Sequence, residues 1–291
     1  MKDFNYYTPK TVKETVSTLV ELKGDGKIMC GGQSMLLLMK QNMLTPEHVV
    51  DIKGVSELDY IKYDKGKGLR IGALATHNAV EKSSVIKKNY PVLAEMEDNL
   101  AVVQTRNWGT IGGNVCHGDP AADPPAVFIV LNAKYRLVGP EGERIVEAED
   151  FYKDYLEVDL AHDEILCEVQ VPALPANTGI AHGKLMAQKG DMGVVGAAAS
   201  VTIDPSTGIC HDVRIALTNV ASTPFRAKNS EKVLIGKVLD EKLLEEAGKI
   251  AAEEVNPPAD VHGSEEYRKD MARIFLKRVT AQAFERAKQK K

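Results

Sequence analysis

Two short stretches carry residue types that could hold an anion. Residues 27–38 read KIMCGGQSMLLL: an apolar run breaks at Gly31-Gly32, passes through Gln33 and Ser34, and resumes as a second apolar run. Residues 108–115 read WGTIGGNV and repeat the chemistry, with a hydroxyl, two glycines and a polar side chain at Thr110, Gly112, Gly113 and Asn114. A strand that turns straight into a helix leaves several backbone N–H groups unpaired in one small volume, and the helix dipole adds partial positive charge there. Glycines let a ligand's oxygens come close to the backbone. Two such loops would grip the two phosphates of a diphosphate from opposite sides. The plainer reading makes each a tight turn, with Ser34 as a helix N-cap. The residues alone leave both readings open.

The stretch that follows the second loop, His117-Gly118-Asp119-Pro120-Ala121-Ala122-Asp123, has one histidine and two carboxylates but no recognisable metal-ligand spacing. A capped turn explains it. If the loops hold a dinucleotide, Asp119 or Asp123 would accept hydrogen bonds from its ribose hydroxyls. Familiar alternatives are missing. No G-x-x-x-x-G-K-[ST] phosphate loop occurs, and no G-x-G-x-x-G follows a strand. Gly32-Gln33-Ser34-Met35-Leu36 lacks the second glycine of a nucleophile elbow, which argues against a serine hydrolase.

The elements that must position these loops are legible from pattern. Thr11 to Glu14 has capping-box spacing after Pro9, and Val12, Val16, Leu19 and Val20 predict one apolar helix face. Lys27–Cys30 and Val49–Ile52 read as strands flanking a helix that starts at Ser34, a βαβ-like unit. Further on, Leu69–Ala73 predicts a strand, Thr76-His77-Asn78 a helix start and Pro91–Leu100 a helix. Val127–Leu131, Ala133–Val138 and Ile165–Val171 are predicted strands in a mixed α+β region. Pro172–Asn177 is the linker candidate. Val194–Ile203 and Ile209–Leu217 predict a hairpin around DPSTG. In the helical tail, Leu243, Leu244, Ala247 and Ile250 form one face, and Tyr267, Met271, Ile274, Phe275 and Val279 another.

Composition excludes several classes. The 291 residues are 44% hydrophobic and 27% charged, which describes an ordinary globular chain of two or three packed units. A net charge of −4 gives no general attraction to nucleic acid or to an anionic membrane. Cys30, Cys116, Cys167 and Cys210 form no CxxC pair, which argues against zinc or an iron–sulfur cluster and for buried, reduced thiols. The polar start, MKDFNYYTPK, has no signal-peptide core, and no apolar run is long enough to span a bilayer. These features predict a cytoplasmic protein without membrane insertion.

The segments KIMCGGQSMLLLMK, IGALATHNAVEKS and QTRNWGTIGGNVCHGDPAADPPA, taken together, resemble the FAD-binding (medium) subunit of molybdenum hydroxylases, the family of carbon monoxide dehydrogenase, nicotinate dehydrogenase and the flavin portion of xanthine dehydrogenase. The resemblance spans nearly the whole chain, from FNYYTPKTVKET to SEEYRKDMARIFLKRV. It implies an α+β chain with a vanillyl-alcohol-oxidase/PCMH-type FAD-binding fold in two subdomains, 1–55 and 56–173. A small α+β C-terminal domain at 178–291, an antiparallel sheet with helices, would follow. Matching positions imply that Ile28, Met29, Cys30, Gly31, Gly32, Gln33, Ser34 and Met35 line the FAD diphosphate from one side. Thr110, Ile111, Gly112, Gly113 and Asn114 would close from the other. The same match implies Thr76, His77, Leu100, Asp123, Leu166, Lys184, Asp191 and Met192 as further cofactor contacts. Met192 stands where the family often has an aromatic residue beside the flavin, so the covering of that flavin face differs here; the plainer reading makes Met192 a core side chain.

The implied function is that of an oxidoreductase subunit. A large partner would hold molybdopterin and a small partner the [2Fe–2S] clusters. Electrons would pass from those clusters through FAD to an external acceptor. No side chain is implied as a catalytic acid or base, and none as a metal ligand. Two rival readings remain: a stand-alone flavin oxidoreductase of the same fold, for which His77 and His117 are the nearby proton-handling candidates, and a cofactor-free assembly protein whose glycine loops are only turns. On the first reading, Gly112→Val is expected to abolish FAD retention while leaving the core intact.

Overall fold

A small parallel sheet begins the chain, ordered β1 (Asn5–Tyr7), β3 (His48–Asp51), β2 (Gly26–Met29). The computed structural model describes residues 1–289. Helix α1 (Val12–Leu22) crosses between β1 and β2. Thr11 caps it by accepting the Glu14 amide at 3.1 Å, while the Glu14 carboxylate reaches back to the Lys10 amide at 2.6 Å. Its buried face is Thr15, Val16 and Leu19; Val20, predicted on that face, is exposed. Helix α2 (Met35–Lys40) returns the chain to β3.

The second sheet is antiparallel, ordered β4 (Ile61–Asp64), β5 (Gly68–Gly72), β10 (Ile165–Val171), β6 (Lys134–Gly139), β7 (Gly142–Glu147). A short hairpin, β8 (Tyr152–Asp154) and β9 (Glu157–Val158), precedes β10. Between β5 and β6 the chain makes a long helical excursion: α3 (His77–Lys82), α4 (Ser84–Asn89), α5 (Pro91–Asp98), α6 (Val103–Trp108), α7 (Ile111–His117) and α8 (Asp123–Val130).

The predicted strand at Val127–Leu131 is instead the body of α8. Pro124 and Pro125 sit in its first turn, where a missing N–H costs nothing, and every residue of the helix is buried. A helix apolar on all sides has no 3.6-residue period to read, so the run imitates a buried strand.

The third sheet is antiparallel, ordered β11 (Thr178–Leu185), β12 (Val195–Ile203), β13 (Cys210–Thr218), β14 (Phe225–Arg226). The predicted hairpin is β12–β13. Helices α9 (Lys228–Leu234), α10 (Glu241–Glu254) and α11 (Glu265–Gln289) cover one face, where Ala197, Ala199 and Val201 point. Ala198 and Ala216 point the other way, into the core shared with α8 and the second sheet. Both faces are therefore buried, which is why β12 reads as an unbroken apolar run. The buried face of α11 is Arg268, Ala272, Leu276, Val279, Thr280, Ala283, Phe284 and Ala287; of the face predicted, Val279 is buried, Met271 and Phe275 pack half-buried against the same core, and Tyr267 is exposed. Small side chains at Ala272, Ala283 and Ala287 let the helix lie close on β11. Among the described residues no helix is long and apolar enough to cross a membrane.

Candidate functional site

The first glycine loop links the end of β2 to α2. Among the described residues, none of the amides from Cys30 to Ser34 donates to a protein acceptor; the Gln33 side chain folds back to donate to the Gly31 carbonyl at 3.1 Å. Ser34 occupies the N-cap position of α2 with helical φ and ψ and makes no side-chain cap, so of the two readings left open for its hydroxyl the helix cap is not the one formed. That leaves a run of backbone donors and one hydroxyl facing a cavity of about 620 Å³, a size typical of small-molecule sites. Gly31 is glycine for a reason unrelated to a ligand. A Cβ there would lie 2.1 Å from the Trp108 carbonyl oxygen, because the chain leading into the second loop crosses directly over it.

The second loop looks alike in sequence and is built otherwise. Thr110 caps α7 by accepting the Gly113 amide at 3.1 Å. The Ile111 amide donates to the Ala75 carbonyl and the Gly112 amide to the Ala73 carbonyl, both at 2.9 Å, and the Asn114 amide donates to the Thr110 carbonyl at 3.0 Å. The first-turn amides are thus already paired, which corrects the expectation of two equivalent amide cradles. Gly112 is buried, and a Cβ on it would sit 2.7 Å from Ala73 Cβ and 2.8 Å from Ala73 O. The expectation that Gly112→Val leaves the core intact is therefore corrected as well. What this loop offers the cavity is side chains, above all Asn114, whose Oδ1 is buried without a partner.

The loops share the cavity. The place a Cβ would take on Gly113 lies 3.8 Å from Cys30 Cβ, and that on Gly109 lies 3.6 Å from Gln33 Cγ. The third sheet closes the far wall through Lys184 of β11, whose Nζ donates to Asp123 Oδ2 at 2.7 Å, with both side chains buried. His182 Nε2 stands 3.6 Å from Asp123 Oδ1, which has no hydrogen-bond partner. Burial pushes the Asp123 carboxyl up, but His182 and Lys184 outweigh it and hold it below the usual carboxylate range. Beneath the second loop, His77 Nδ1 meets Glu97 Oε2 at 2.9 Å, deep in the protein.

Most residues expected at the cofactor line this one cavity: Ile28 to Met35, His77, Leu100, Thr110, Gly112, Gly113, Asn114, Asp123, Leu166, Lys184, Asp191 and Met192. Two do not. Thr76 caps α3 and bridges to Thr110, and Ile111 is packed in the core. Met192 is 55% exposed at the rim, so it is not a core side chain. Asp119 accepts the Ala121 amide at 2.8 Å in a turn. Cys167 and Cys210 are buried as expected, whereas Cys30 and Cys116 are half-buried on the cavity wall; burial pushes the Cys30 thiol up to about 11, so it is protonated at neutral pH. Glu97 and His182 were not expected. A glutamate inside a helix reads as solvent-facing, and only the packing of α5 on α3 shows otherwise.

Two family models match the chain. Residues 2–174 match the family model of the FAD binding domain in molybdopterin dehydrogenase, and residues 181–283 match that of the CO dehydrogenase flavoprotein C-terminal domain. The carbon monoxide dehydrogenase medium chain of Afipia carboxidovorans is 38% identical over 285 residues, covering 98% of each chain. That of Hydrogenophaga pseudoflava is 36% identical over 283 residues, covering 97% of this chain and 98% of the relative. A solved structure of carbon monoxide dehydrogenase from Hydrogenophaga pseudoflava superimposes with a TM-score of 0.95 at 36% identity, covering 98% of both chains.

Proposed function

The chain belongs to the family of FAD-binding medium subunits of molybdenum hydroxylases, and from that premise we propose that it holds FAD between its two glycine loops and relays electrons from a partner's iron–sulfur clusters to an external acceptor. The observation that carries the reading is the run of unpaired amides from Cys30 to Ser34 on a cavity of about 620 Å³. Several backbone N–H groups with no protein acceptor converge here on one cavity, so the site is fitted to an anionic group. Asn114 Oδ1 and Asp123 Oδ1, buried and unpaired, are fitted to hydroxyl or amide donors of the same ligand. These features match a dinucleotide: diphosphate at the amides, hydroxyls at the acceptors.

Bound FAD would supply redox chemistry that accepts electrons singly or in pairs. The chain's own residues bind and shield. The amides of Cys30–Ser34 and the Ser34 hydroxyl receive the diphosphate. Lys184 keeps Asp123 ionised so that its free oxygen accepts a ribose hydroxyl. Leu100 and Leu166 supply apolar wall, and Met192 leaves one edge of the cavity open to the outside. Large molybdopterin-binding and small [2Fe–2S] partners, as in the related dehydrogenases, would oxidise the substrate, and the assembly would work in the cytoplasm.

The test is direct. The full chain, expressed alone and with its two partner chains, is purified and its visible spectrum recorded. Flavin bands at about one FAD per chain, bleached when the partner complex receives its substrate, support the reading. A colourless chain that takes up no added FAD defeats it.

A further inference from the structure

Two buried acids stand at the cavity, Asp123 on its wall and Glu97 behind the His77 ring, and their surroundings differ. Asp123 has the Lys184 ammonium on it at 2.7 Å. Glu97 is fully buried and has no lysine or arginine of its own: one oxygen meets His77 Nδ1 at 2.9 Å and the other, Oε1, is unpaired. Arg106 is near, but its guanidinium is committed to Glu81 at 2.8 Å and to the Leu100 and Ala101 carbonyls. A buried carboxylate in that position needs either a proton or an imidazolium against it.

His77 is placed to feel whatever enters the cavity. Its amide donates to the Gly109 carbonyl at 3.0 Å, and its ring lines the cavity with Nδ1 turned to Glu97. The place a Cβ would take on Gly109 is 3.0 Å from His77 Cδ2 and 3.6 Å from Gln33 Cγ, so the imidazole and the first loop stand on either side of Gly109, on one cavity. Those amides carry no net charge, and Lys184 is spent on Asp123. Lys27, His117 and His162 also line the cavity, but only His77 is buried and set against a carboxylate, so its charge is the one least screened from a diphosphate.

Resting on the FAD reading above, we propose that Glu97 and His77 form a one-proton couple which FAD binding loads, with Glu97 acting as a positioning residue that keeps the His77 imidazolium oriented toward the cofactor's diphosphate. The couple with its proton is neutral overall; without it, the couple carries one negative charge beneath an anionic ligand. The diphosphate thus favours the couple that holds its proton, which the two side chains share as a unit. The sign follows. Where the free couple has lost its proton and the bound couple retains it, binding takes up a proton, and affinity falls as pH rises by at most about tenfold per pH unit. The other groups facing the couple are Arg106 and Glu81, paired with each other, and Asp123 with His182 and Lys184. Burial, and secondarily the Asp123 charge, pushes the Glu97 carboxyl up against the opposing pull of His77, in keeping with a carried proton.

The full chain, stripped of flavin and refilled with FAD, is titrated calorimetrically between pH 6 and 9 in buffers of different ionisation enthalpy. Expected is net uptake of up to one proton and an FAD dissociation constant that climbs with pH. Glu97→Gln keeps the size and the hydrogen bond but removes the charge, and His77→Gln removes the ring; both should flatten the pH slope while apo melting temperature confirms folding. Wild-type binding without proton uptake overturns the proposal with no variant needed, as does an unchanged slope in either folded variant. A chain that binds no FAD at any pH defeats the FAD reading itself, and this inference with it.

Discussion

The two glycine loops differ in where their backbone donors point. At Cys30–Ser34 the amides are free and the side chains largely incidental; at Ile111–Asn114 the amides are bonded to Ala73, Ala75 and Thr110, and it is side chains, above all Asn114, that the loop offers the cavity. Both pairs contain a glycine required by a crossing chain, Gly31 under the Trp108 carbonyl and Gly112 against Ala73. A doubled glycine therefore reports close approach, and the approaching partner is as readily another strand as a ligand. Side-chain chemistry continues from the second loop to Asp123, so one wall of the cavity is built of backbone dipoles and the other of charges.

Removing a charge from the second wall should have the largest effect. Asp123→Ala leaves the buried Lys184 without its carboxylate, and breaking a buried pair costs about 3–5 kcal/mol. Chemical denaturation of the flavin-free chain measures it; a loss below about 1 kcal/mol would mean that Lys184 reaches water and the wall is not sealed. The same pair sets an acid limit. Because the folded Asp123 carboxyl is depressed, its stabilisation is present above the unfolded value and disappears as pH falls through the folded one. Melting temperature followed from pH 6 down to 3 should drop less steeply in Asp123→Asn than in the parent.

Glycine replacement separates the loops next. Gly112→Val drives a side chain into the end of β5 and should destabilise by about 1–3 kcal/mol, or prevent folding, before any question of FAD arises. Gly31→Ala puts its Cβ 2.1 Å from the Trp108 carbonyl oxygen, so backbone must move and stability falls there too, but the amides of Cys30–Ser34 move with it and FAD retention weakens in the folded protein. Equal FAD retention in the two folded variants would erase the distinction drawn between them.

The hydroxyls give the smallest and sharpest contrast. Thr110→Ala removes the cap of α7 and should cost about 1 kcal/mol of stability. Ser34 caps nothing, so Ser34→Ala should leave the melting curve unmoved and lower FAD affinity severalfold. The reverse pattern would show that Ser34 serves the helix after all.

Much of this was legible in the chain. The parallel start, β5, β10 and the β12–β13 hairpin follow from strand patterning, and the loops announce themselves by paired glycines beside hydroxyls. What failed did so for identifiable reasons. α8 has no polar face, so its run could not be told from a buried strand. α11 packs by Ala272, Ala283 and Ala287 as well as by bulky residues, so a face read from bulk alone found Val279 but also took in Tyr267, which is exposed. Glu97 lies in an ordinary helical stretch, and nothing local marks it as buried.

The residue types alone settled which groups this protein could bring to an anion: small loops, hydroxyls, and an acid within reach. Which of those groups are free was decided only by folding. The carbonyls of Ala73 and Ala75 arrive from the end of β5 to take amides of the second loop, Lys184 arrives from the third sheet to take Asp123, and among the described residues nothing arrives for the amides of Cys30–Ser34. A hydrogen bond depends on its partner as much as on its donor, and these partners come from distant segments of the chain.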